Sequence, residues 1–136
     1  MADNPLSPST LALRLGALLL WAAALVYLSL APNVTVPSAA FGWDKLNHAA
    51  AYAVLAGLLI LTLLARQAAS TRLLAGAWAA CFAYGLLLEG LQELMGLGRT
   101  FEWGDLLANG LGALATCVVF CLIAGRSSQA NVQRSP

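Results

Sequence analysis

Asp44, His48 and Tyr52 recur every fourth residue, with Lys45 beside the first, so an acid, an imidazole and a phenol share one helical stripe. Glu89, Gln92 and Glu93 form a second stripe at i, i+3, i+4, and Asp105 and Asn109 a third at i, i+4. Arg99 stands in the short stretch between these last two. Imidazole moves protons near neutral pH, and a neighbouring carboxylate sets its orientation and charge. On that chemistry His48 is the acid–base group, Asp44 or Glu89 positions it, and Asp105 completes the candidate catalytic set. Lys45 and Arg99 would grip an anion, and Tyr52, Gln92 and Asn109 would bind and orient it.

Missing residue types narrow the chemistry. Cys81, Cys117 and Cys121 fall inside apolar runs, with neither C-x-x-C spacing nor a disulfide pattern, and no serine joins the polar stripes. An acyl-enzyme or thiolate mechanism therefore finds little support. One histidine excludes a His-rich zinc site within a single chain, and no metal or cofactor is assigned. A mixed His48–Glu89–Asp105 set stays open as the alternative.

Each polar residue also has a structural reading. Asp44 suits the N-cap of a helix. Lys45 can snorkel to an interface. Gln92 and Asn109 suit interhelical hydrogen bonds, and Asp105 can pair with Arg99 or His48. Arg99 either pairs with an acid or holds an anion. Glu93 and Glu102 read as solvated, with Glu102 also favoured at the positive start of a helix. Trp43 and Trp103 read as interfacial belt residues.

The elements that must carry these stripes are membrane spans. Apolar residues make up 60% of the 136-residue chain, charged residues only 10%, and mean hydropathy is +0.78. This composition departs from that of soluble domains toward that of bilayer proteins. A net charge of +1 removes any electrostatic case for nucleic acid. The apolar runs Leu11–Ala31, Leu46–Ala65, Leu73–Met95 and Leu106–Ala124 each approach the roughly 20 residues that span a hydrocarbon core. Backbone groups in lipid must pair within their own segment, so the expected fold is an all-α integral membrane four-helix bundle with short loops. Residues 1–10 are expected as a polar tail, 11–125 as the membrane domain and 126–136 as a disordered tail.

Arginines set the expected orientation. Arg14, Arg66, Arg72, Arg126 and Arg134 mark both termini and the second connection as cytoplasmic, giving N-in and C-in topology. The first and third connections hold only Lys45 and Arg99 as cations beside five carboxylates. Both polar clusters then occupy one shallow layer at the outer face. His48 stands about 6 Å and Tyr52 about 12 Å along the helix from Asp44. A cleaved signal peptide is the alternative for the first run, because Ser38, Ala39 and Ala40 follow it. That run exceeds the usual h-region and lacks a cation before Arg14, so a retained span is expected. Small residues recur at every fourth position as Ala49/Ala53/Gly57, Ala75/Ala79/Ala83 and Ala108/Gly112/Thr116, and are expected to line close helix contacts.

The run Asp44-Lys45-Leu46-Asn47-His48-Ala49-Ala50-Ala51-Tyr52 resembles the D-K-x-x-H-x-x-x-Y motif of the VanZ-like membrane family. Glu89-Gly90-Leu91-Gln92, then Gly98-Arg99, Asp105, Asn109-Gly110 and Gly112 resemble its second motif, E-x-x-Q, G-R, D-x-x-x-N-x-x-G. Leu88 departs from it, standing where many members carry an acid beside the glutamate. The family takes its name from a protein associated with teicoplanin resistance, so the resemblance implies a cell-envelope role in the bacterial cytoplasmic membrane. Two functions follow as expectations. One is binding or processing of an anionic head group, such as that of a lipid-linked envelope precursor. The other is a network that only locks the bundle, the protein acting through a lipid or protein partner without chemistry.

Overall fold

The computed structural model describes residues 7–30, 44–96 and 101–132, with the backbone alone for residues 44 and 127–132. Four helices account for them: α1 (Pro8–Leu30), α2 (Asp44–Leu63), α3 (Thr71–Met95) and α4 (Trp103–Val132). All four are long and apolar enough to cross a bilayer, and no strand occurs among the described residues. The expected four-helix architecture is therefore present.

Helix ends follow local chemistry more than hydropathy. The Ser7 hydroxyl accepts the Thr10 N–H at 3.2 Å, and Pro8 takes the first helical position, where its missing N–H costs nothing. This start signal lies inside the segment expected as a tail, so α1 begins earlier than the apolar run. Ser70, in extended conformation, caps α3 by accepting the Leu73 N–H at 3.2 Å. Gly96 ends α3 in the left-handed region at φ 60°, ψ 24°, which glycine enters without steric cost. The Glu102 carbonyl opens α4 by accepting the N–H groups of Asp105 and Leu106 at 3.1 and 3.2 Å. At its far end α4 continues to Val132, so backbone 126–132, expected as disordered, is helical. Hydropathy marks where the hydrocarbon ends. A helix needs only its backbone ladder, and no proline interrupts it before Pro136.

Interhelical contacts fix the directions. Arg14 donates to the Leu61 carbonyl at 2.5 Å and Trp21 to that of Ala51 at 3.0 Å, so α1 and α2 are antiparallel. Tyr84 donates to Ala22 and Gln92 to Ser29, so α1 and α3 run together. Trp78 meets the Gly110 carbonyl and Cys117 that of Leu74, so α3 and α4 are antiparallel. The most extensive pairing joins α2 to α4, which are parallel and not consecutive.

Two of the three small-residue rows meet in that pairing. A Cβ on Gly112 would collide with the Ala49 carbonyl, and the Thr116 hydroxyl donates to the Ala53 carbonyl at 3.0 Å. The third row does not line an interface: Ala75, Ala79 and Ala83 are exposed. Instead α3 turns Leu74, Ala77, Cys81, Gly85, Leu88 and Gln92 inward. That face carries larger groups, and the buried polar residues Glu89 and Gln92 lie on it, so it gains more from burial than an alanine row. Outward surfaces are apolar, with Leu20, Val54, Leu87, Leu111, Val119 and Ile123 exposed, as lipid-facing helices require. Only Leu25 of α1 is fully buried, so α1 packs on the rim of a core made by α2, α3 and α4.

Candidate functional site

The chain directions place the C-terminal ends of α1 and α3 and the N-terminal ends of α2 and α4 at one end of the bundle. The three polar stripes meet there. Lys45 Nζ donates to Asp105 Oδ1 at 3.1 Å and to Glu102 Oε2 at 3.4 Å. One turn deeper, His48 Nδ1 lies 3.2 Å from Asn109 Oδ1, and His48 Nε2 lies 3.5 Å from Asp105 Oδ2. Asp105 thus faces Lys45 with one oxygen and His48 with the other.

Side-chain exposure falls from 58% at Lys45 to 23% at His48 and 10% at Asp105, so the cluster opens toward Lys45. Tyr52, Glu89, Gln92 and Asn109 are all buried. Burial without partners would cost each polar group heavily, and no buried side-chain nitrogen or oxygen among the described residues is left unpaired.

The α3 acids act on the start of α4. Glu89 Oε2 accepts the backbone N–H of Glu102 at 3.2 Å, and Glu93 Oε2 accepts that of Phe101 at 2.7 Å. The N–H groups at a helix start have no intrahelical acceptor and carry partial positive charge, which a carboxylate satisfies. Gln92 reaches the other way, donating to the Ser29 carbonyl at 2.9 Å and tying α3 to α1. Gly85 makes room for two site residues. A Cβ there would lie 3.1 Å from Asn109 Nδ2 and 3.3 Å from the Tyr52 hydroxyl.

The Asn109 amide orientation has a consequence for His48. With Oδ1 turned to the ring, only a protonated Nδ1 makes a hydrogen bond, an assignment drawn from the network itself. Nε2 is then the nitrogen that faces Asp105 and carries the exchangeable proton or lone pair. His48, Glu89 and Asp105 each bring one ligand-capable atom to within 4.8 Å of the others, from three different helices.

The structure thus gathers Lys45, His48, Tyr52, Glu89, Gln92, Asp105 and Asn109 at one end of the bundle. Asp44 heads α2, and its side chain lies outside the described residues, as does Arg99. Glu93 and Glu102 are exposed, as expected, and what sequence reasoning missed is their contacts: Glu102 pairs with Lys45 and lends its N–H to Glu89, and Glu93 anchors the Phe101 N–H. Gly104 lies beside the lysine, where a Cβ would stand 2.7 Å from Lys45 Cε. A Lys at the start of one span and two acids at the start of another was the available signal for the first of these contacts.

An apolar cavity of about 170 Å³ lies elsewhere, among α1, α2 and α3, lined by Ala22, Leu55, Leu59, Ala80, Cys81 and Tyr84. Neither the curated proteins nor the solved structures contain a match to the chain. The sequence model of the VanZ/LLP1 family, however, matches residues 18–124, from α1 through the apolar part of α4 and so across the whole polar cluster. The chain belongs to the VanZ/LLP1 family.

Proposed function

We propose that the polar end of the bundle binds the anionic head group of a membrane lipid, with a lipid-linked envelope precursor as the substrate class, and so contributes to glycopeptide-resistance physiology. One observation carries this reading. A lysine and a histidine sit over buried carboxamide and carboxylate groups at the end of helices whose outer faces are apolar. A head group and its tail would each then occupy their own medium. Lys45 and Arg99 hold the anion, His48 exchanges a proton through Nε2, and Asp105 and Asn109 fix the ring. Charge distribution supports an outward orientation in the bacterial cytoplasmic membrane. Arg14, Arg66, Arg72 and Arg126 belong to the opposite end, the one retained inside by the positive-inside rule.

A second reading draws on the same contacts. Every hydrogen bond described for Gln92, Asn109 and Lys45 joins two elements of the chain, as a purely structural lock requires. Single substitutions His48→Ala, Glu89→Gln and Arg99→Ala separate the two readings. The site reading expects normal membrane abundance with loss of teicoplanin protection and of binding to vesicles carrying a polyprenyl phosphate rather than its neutral alcohol. Disappearance of all three variants from the membrane would favour the lock.

A further inference from the structure

We infer that His48, Glu89 and Asp105 form a binding site for one divalent transition-metal ion, of the Zn²⁺ or Mn²⁺ class. The donor set is one imidazole nitrogen and two carboxylate groups, which suits these ions and not a soft, thiolate-seeking one. The atoms lie within 4.8 Å of one another. Ligands bonded to a single zinc at about 2.0–2.2 Å stand about 3–4 Å apart. Closing the site therefore takes an adjustment of about an ångström, which is within the reach of side-chain rotation. Three protein ligands leave at least one coordination position open, the pattern of reactive rather than purely structural zinc sites.

The surrounding contacts are those of an outer shell. Asn109 Oδ1 accepts from His48 Nδ1, which turns the Nε2 lone pair of the neutral ring toward Asp105. Lys45 holds the second oxygen of Asp105, and the Glu102 N–H holds one oxygen of Glu89. Each ligand is thus positioned from behind by a group on α2 or at the start of α4.

Charge gives an independent reason. Glu89 and Asp105 are both buried, and the ion pair described for Lys45 on this layer reaches Asp105, not Glu89. Two carboxylates thus stand close together where dielectric screening is weak, and a divalent ion offsets their charge. A bound metal is expected whether or not any lipid binds. Should both bind, the open coordination position is where an anionic oxygen of the head group would enter.

The test uses the full chain in detergent, stripped with a chelator and dialysed against Zn²⁺ alone or Mn²⁺ alone. Bound metal is measured by mass spectrometry, and a Co²⁺ substitution spectrum reports the ligand field. The expected result is about one ion per chain for at least one of the metals. His48→Ala, Glu89→Gln and Asp105→Asn should each weaken binding about tenfold or more, and Asn109→Ala about tenfold through the ring orientation. Where an alanine variant loses its helical circular dichroism, His48→Gln replaces it, because glutamine retains a donor toward Asn109. Wild-type protein that holds neither metal would overturn the site. So would folded His48 and Asp105 variants that bind as tightly as the wild type. Phosphate-lipid binding is measured on the same stripped protein, so that its absence counts against the head-group reading alone.

Discussion

At the scale of single residues, Asn109 illustrates how much one carboxamide decides. It is 2% exposed, its oxygen faces His48 and its nitrogen faces Gly85. Asn109→Ala removes the ring's partner without inserting bulk. Interhelical hydrogen bonds in membranes are worth about 0.6 kcal/mol on average, with the strongest near 1.7. A loss of about 1 kcal/mol is therefore expected, read as a shift in the SDS-unfolding midpoint of purified protein. An unchanged midpoint would mean that the His48–Asn109 pair adds nothing to the fold. Glu89 differs in kind, because its carboxylate anchors a backbone N–H at the start of another helix. Leu88, beside it, is buried in an apolar cluster with Tyr52, Leu55 and Cys81. The α3 face therefore offers one buried acid at this depth, and a mechanism must be written with one.

Among the elements, the α2–α4 contact is the tightest. Gly112 lies against the Ala49 backbone, where added bulk meets atoms that cannot swing aside. Gly112→Ala is expected to cost about 1–3 kcal/mol, as overpacking typically does. Gly76, on α3, has open space where a methyl group would stand, with nothing within 4 Å, so Gly76→Ala should be neutral or stabilise by up to about 1 kcal/mol. Thermal aggregation of the two variants side by side checks the pair; equal midpoints would contradict the close approach. This contact also shows what a sequence makes legible. The four helices could be read from apolar run lengths, and the polar stripes from four-residue spacing, because both are local. Which helices pair is not local. Alanine is so frequent that all three small-residue rows looked alike, yet the α3 row is exposed while the other two interlock. Ser7-Pro8 and the Glu102 backbone lay outside the apolar pattern, so neither the start of α1 nor the Glu89 anchor followed from it. Residues 97–100, including the family's Gly98-Arg99 pair, lie outside the described residues.

For the whole molecule, the charges divide by end. Arg14, Arg66, Arg72 and Arg126 belong to one end, and Glu89, Glu93, Glu102 and Asp105 gather at the other. The positive-inside rule then expects both termini in the cytoplasm. A C-terminal alkaline phosphatase fusion should be inactive, and a C-terminal fluorescent protein should mature; the reverse pair of results would invert the topology and turn the polar end inward. The same division explains how so few charges serve a membrane protein. Among the described residues they lie within about two turns of a helix end, where an ionised group costs less than at the middle of the bilayer, and the layer between stays apolar.

The parallel pairing of α2 with α4 also has a consequence for synthesis. Lys45 precedes Asp105 by 60 residues, and His48 precedes Asn109 by 61. At about 5–20 residues per second, α2 leaves the ribosome about 3–12 s before its main partner exists. During that interval its lysine and histidine must be sheltered by the insertion machinery or by lipid head groups. The cluster is thus completed only when α4 arrives, and a nascent chain that has made α1 to α3 carries its histidine without the Asp105 and Asn109 that fix it.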